Sequence, residues 1–135
     1  MKKMILGLLL GLTLSFAHAQ VPEYRLSSHI LDISTGLPAE IVPVKLEKLN
    51  QDTNEWALID QKKTDKNGRI GNFLQETKTD KGIYRLTFLI ADYFAGKNTK
   101  SFYPFIEVVF EIKDDKHYHV PITLSPYGYS TYRGN

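Results

Sequence analysis

The chain has 135 residues, with 17 basic and 15 acidic side chains, four histidines and no cysteine. The lack of cysteine excludes a thiolate nucleophile, a thiolate metal site and a disulfide scaffold, so stability must come from an apolar core. The charges are interspersed, with no basic stripe of the kind that tracks a nucleic acid.

In chain order, Met1-Lys2-Lys3-Met4 leads into an apolar run from Ile5 to Leu14 and then Ala17-His18-Ala19. Charged, apolar, then small-x-small is the pattern of a secretory signal peptide, and the run is short for a membrane span. The expected division is a signal peptide over residues 1–19 and one domain over 20–135. With no lipobox cysteine, the expected product is a soluble periplasmic protein with no membrane attachment after cleavage. Without Lys2 and Lys3, the remaining 116 residues carry 15 basic and 15 acidic side chains. The overall pI of 8.7 therefore overstates how basic the domain is.

From Tyr24 to Ile33 the pattern predicts a strand, with Leu26 and Ile30 on one face and His29, Leu31 and Ile33 on the other. Thr35-Gly36-Leu37-Pro38 is turn chemistry. Val42, Val44 and Leu46 alternate with polar neighbours as a second strand, Asn50 to Asn54 reads as a hairpin loop, and Trp56 to Ile59 as a third strand. Thr64-Asp65-Lys66-Asn67-Gly68 is a strong turn signal that delivers Arg69 to the start of the next strand. Further strands are predicted at Tyr84–Ile90 and Ile106–Ile112, with a short helical turn around Tyr93-Phe94-Ala95 between them. After a turn at Asp114-Asp115-Lys116, Tyr118, Val120, Ile122 and Leu124 mark the core face of a penultimate strand. Ser125-Pro126-Tyr127-Gly128 then turns the chain into a last strand, Tyr129 to Arg133. The sum is all-β: an antiparallel β-sandwich of seven or eight strands with at most one short helix.

With Tyr118, Val120 and Ile122 facing the core, His117, His119 and Thr123 share the opposite face. Two histidines on one strand face are commonly surface residues or satisfied hydrogen-bonding groups, and a lone His29 in an apolar strand is commonly structural. Three histidines, His29, His117 and His119, also invite a zinc reading in which three imidazoles and a water form an open site. No carboxylate or second motif strengthens that reading, and no Gly-x-Ser-x-Gly elbow supports a serine hydrolase.

The stretch Tyr118-His-Val-Pro-Ile-Thr-Leu-Ser-Pro-Tyr-Gly-Tyr-Ser-Thr-Tyr-Arg-Gly134 resembles the C-terminal signature of the transthyretin-related 5-hydroxyisourate hydrolases. Ser28-His-Ile-Leu-Asp-Ile-Ser-Thr-Gly-Leu-Pro-Ala39, Thr64-Asp-Lys-Asn-Gly-Arg69, Tyr84-Arg-Leu-Thr-Phe88, Asp92-Tyr-Phe94 and Phe102-Tyr-Pro104 resemble the family's other motifs, in the family's order. The resemblance implies a transthyretin-like sandwich and hydrolysis of a purine-derived lactam. It implies catalytic residues His29, Arg69 and His119, with substrate contacts from His29, Arg69, Tyr132 and Asn135. It implies no metal or other cofactor, and a homotetramer with its sites in a channel between dimers. The hormone-binding transthyretins lack the His/Arg/His set, which favours the enzyme; the alternative is a non-enzymatic small-ligand-binding module on the same sandwich. Where the family closes Tyr-Arg-Gly-Ser, this chain closes Tyr132-Arg133-Gly134-Asn135. Asn donates and accepts hydrogen bonds but brings no hydroxyl.

Overall fold

The computed structural model describes residues 23–75 and 81–134; the signal-peptide pattern of residues 1–19 and the terminal Asn135 lie outside the described residues. Two sheets face each other. One contains β1 (Tyr24–Asp32), β2 (Leu37–Pro38), β5 (Arg69–Gln75), β8 (Tyr118–Ser125) and β9 (Gly128–Thr131). The other is β4 (Glu55–Lys63), β3 (Pro43–Asn50), β6 (Gly82–Phe88) and β7 (Ile106–Ile112), in that spatial order. Apart from the two-residue β2, these are the eight strands outlined by the sequence. Among the described residues no helix is long and apolar enough to cross a membrane.

Period-two alternation explains the layering. Leu26, Ile30, Phe73 and Ile122 from the first sheet, and Val44, Leu46, Leu86 and Phe88 from the second, are all fully buried in one core. Each such side chain contributes about 1.5–3 kcal/mol relative to exposure. Strand β8 buries Tyr118, Val120, Ile122 and Leu124 while His119 and Thr123 sit half-buried on the outer face, as its pattern predicts.

The helical turn expected near Tyr93 is α1 (Ala91–Gly96), anchored by buried Phe94. Tyr93 Oη donates to Asp32 Oδ2 at 2.8 Å, and the Ser34 backbone N–H donates to Oδ1 at 2.9 Å. Burial alone would raise the Asp32 pKa, but these bonds outweigh it and hold the carboxyl below its usual range. The exit of β1 is thereby fixed against the helix.

Two features depart from the sequence expectation. The pairing is antiparallel except at the centre, where β1 and β8 run parallel from Leu26 opposite Tyr118 to Asp32 opposite Leu124. Alternation shows which side chains share a face, but not which strand lies alongside. The last strand also stops at Thr131 instead of Arg133. Pro121 has no N–H to offer its neighbour; the ladder lapses at Tyr132 and Arg133 and resumes as a single bridge between His119 and Gly134.

Candidate active site

Arg69 is placed by a turn that the sequence specifies locally. Asp65 Oδ1 accepts from the backbone N–H of Asn67 at 2.8 Å and of Arg69 at 2.9 Å, while Gly68 N–H donates to the Asp65 carbonyl at 2.9 Å. Gly68 has φ +70°, and an added Cβ would lie 2.6 Å from the Ile30 carbonyl oxygen, so glycine is required for both conformation and space. The Gly68 carbonyl accepts from Ile30 N–H at 2.9 Å, locking the turn to β1. Arg69 thus enters β5 directly opposite His29 in the β1–β5 register.

His119 reaches the same face from the other side of β1. In the parallel β1–β8 ladder it pairs with Ser27, two residues from His29. Strands lie about 4.8 Å apart and side chains on one face recur about every 6.8 Å, so the three side chains start within roughly 12 Å of one another. His29 and His119 are half-buried and Arg69 is exposed, forming an open site on the outer face of the sheet.

Ser27 Oγ hydrogen-bonds both His119 Nδ1 and His117 Nε2, each at 2.8 Å. His117 Nδ1 in turn lies 2.8 Å from the Tyr24 carbonyl oxygen. Both ring nitrogens of His117 are therefore engaged by protein. Among the described residues no group of three or more His, Cys, Asp or Glu is arranged to hold a metal ion. The C-terminal tail packs on His119: Gly134 N–H donates to the His119 carbonyl at 2.8 Å, and a Cβ on Gly134 would lie 2.4 Å from His119 Cδ2. Only glycine lets the tail lie against the imidazole.

Both catalytic candidates among the histidines are held neutral. Burial, then the Arg69 charge, lowers the His29 pKa below the ordinary 6.5, opposed by the Asn67 backbone acceptor and the Asp65 carboxylate. Burial, then Arg69, His29 and His117, lowers His119, opposed by the nearby Ser27 backbone carbonyl. A neutral imidazole pair beside a fixed guanidinium can accept a proton from water and stabilise an oxyanion in the same place.

Tyr132 is 61% exposed. It lies opposite Pro121 when counted between the Ile122–Thr131 pair and the His119–Gly134 bridge, which puts it on the His119 face. It makes no hydrogen bond to His29, Arg69 or His119 among the described residues. Arg133 points the other way, its guanidinium 4.5 Å from the Tyr118 ring centroid. Ser27, Asp65 and Gly134 were not singled out from sequence as site residues. For Ser27 the available signal was its position two residues before His29, hence on the same strand face.

Residues 26–134 match the model of the HIUase/Transthyretin family. The 5-hydroxyisourate hydrolase of Salmonella dublin is 46% identical over 111 residues, covering 82% of this chain and 80% of that protein. The solved structure of Klebsiella pneumoniae 5-hydroxyisourate hydrolase superposes with TM-score 0.72 at 35% identity, covering 84% of this chain and all of the other. Sea bream transthyretin in complex with thyroxine superposes with TM-score 0.76 at 31% identity, covering 82% and 94%. The chain belongs to the HIUase/transthyretin family.

Proposed function

We infer that this protein hydrolyses 5-hydroxyisourate to 2-oxo-4-hydroxy-4-carboxy-5-ureidoimidazoline, a step of urate degradation. The observation that carries the reading is the convergence of Arg69 opposite His29, with His119 beside them, on one open face. One neutral imidazole takes a proton from water as the water oxygen bonds to a ring carbonyl carbon. Arg69 faces the oxyanion that forms, and its planar donor fork suits a substrate rich in carbonyl oxygens. The other imidazole orients the water or protonates the departing ring nitrogen. Tyr132 and Asn135 complete the substrate contacts. This chemistry calls on no metal and no organic cofactor. Adding the protein to freshly generated 5-hydroxyisourate is expected to shorten its spectral lifetime; an unchanged decay would leave the sandwich as a binding module.

Because the working form of both imidazoles is neutral and burial and Arg69 lower both pKa values, the acid limb of the rate profile is expected to have its midpoint below 6.5. A pH profile of kcat/KM whose acid limb lies above 6.5 would contradict the roles given to His29 and His119.

Gly134→Ala is expected to lower kcat about 10- to 100-fold, because the new methyl group pushes the His119 ring from its place and small misplacements are costly. Thermal unfolding should be little changed, since Gly134 lies outside the core. Wild-type kcat in this variant would show that the tail does not set the ring.

We propose further a homotetramer exported to the periplasm. The tetramer is supported by the apolar side chains of Ile33 and Leu37, left 57% and 60% exposed in the single chain. Export is supported by the signal-peptide pattern of residues 1–19.

A further inference from the structure

We propose that Ser27 and His117 are positioning residues that fix the tautomer of His119, making Nε2 of His119 the general base; this rests on the hydrolase reading above.

The assignment follows from donor and acceptor capacity along the chain of contacts. The Tyr24 carbonyl can only accept, so Nδ1 of His117 carries a proton and donates to it. In neutral His117, Nε2 is then bare and must accept, so the Ser27 hydroxyl donates its single proton there. Ser27 Oγ, its proton committed, is left to accept from His119, which places the single N–H proton of neutral His119 on Nδ1. Nε2 of His119 is consequently unprotonated and has no hydrogen-bond partner among the described residues. The lone pair needed for base catalysis is selected by a backbone carbonyl three contacts away.

The geometry is built into the fold. Tyr24 and Ser27 lie on β1 and His119 on β8, held by the parallel ladder in which Ser27 faces His119 directly. His117 stands just before β8, on the same face as His119. Ser27 and His117 do not touch the reacting atoms; they act through His119.

In the step assigned to Nε2, a water O–H bond breaks as its oxygen bonds to the substrate carbonyl carbon. The proton goes to Nε2 and the carbonyl electron pair to the oxygen facing Arg69. When the adduct collapses, the ring C–N bond breaks and the Nε2 proton passes to the leaving nitrogen, returning His119 to its starting form. Throughout, Nδ1–H stays on Ser27, and the hydroxyl oxygen stabilises the transient imidazolium.

The test combines a spectrum with kinetics on the full protein. In histidine-15N-labelled wild type at neutral pH, His119 is expected to show a protonated Nδ1 and a bare Nε2. Ser27→Ala should leave a mixture of tautomers and lower kcat about 10- to 100-fold while KM stays within about twofold. Ser27→Thr, which keeps the hydroxyl, should recover kcat to within about threefold of wild type. His117→Ala frees the Ser27 proton to turn toward His119, so it too should lower kcat. Combined with Ser27→Ala it should add nothing further, because the two act as one unit. A wild-type spectrum with the proton on Nε2, additive losses, or Ser27→Ala turning over like wild type would overturn the proposal. If wild type fails to turn over the substrate at all, the hydrolase reading falls, and the tautomer spectrum still decides the hydrogen-bond assignment.

Discussion

Arg69→Glu is expected to reduce kcat/KM for 5-hydroxyisourate by about 100- to 1,000-fold, the range found when a principal oxyanion donor is removed. The substitution does more than delete a donor. It puts a carboxylate opposite His29 in the β1–β5 register and near His119. The Arg69 charge now helps to hold both imidazoles below 6.5, so reversing its sign raises both pKa values. At a given pH a smaller share of each ring is then in the neutral form that accepts a proton. The variant should therefore show two changes: a lower plateau and an acid limb moved to higher pH. Arg69 is exposed and its turn is fixed by backbone contacts to Asp65, so the fold should persist. A variant that loses rate with no change in the acid limb would leave Arg69 as a substrate contact alone.

His119→Ala is expected to lower kcat by about 100- to 10,000-fold, the span attributed to a well-placed general base. KM should change less, since the removed interaction matters most as the proton moves. The His119 ring is half-buried outside the core, so thermal unfolding should remain cooperative near the wild-type temperature. If His119→Ala retains more than about a tenth of wild-type kcat, the base is elsewhere in the site, with His29 the nearest candidate.

Much of this arrangement is legible in the sequence, because it depends on local rules. Alternation across Tyr118–Leu124 puts His117 and His119 on the outer face, and Asp65-Lys66-Asn67-Gly68 dictates the turn that presents Arg69. Neither pattern shows that β1 lies between β5 and β8, bringing His29, Arg69 and His119 together. Only the resemblance to the family implies that convergence. Ser27 carries no such signal, because a serine in a strand is ordinary until the parallel register sets it against His119. The turn at Ser125-Pro126-Tyr127-Gly128 predicts a terminal strand through Arg133, which would hold Tyr132, whereas the missing Pro121 N–H interrupts the ladder at that point. Gly134 has no local signal in the sequence; its contact with the His119 ring arises only when the tail folds back.

The most direct test follows freshly generated 5-hydroxyisourate spectroscopically with the protein present at a small fraction of the substrate concentration. All of the substrate is expected to be consumed at a rate proportional to protein, far above spontaneous decay, and the acceleration should be largely absent with Arg69→Glu or His119→Ala. Decay at the spontaneous rate, or loss that stops at one substrate per chain, would contradict catalysis by the His29–Arg69–His119 site.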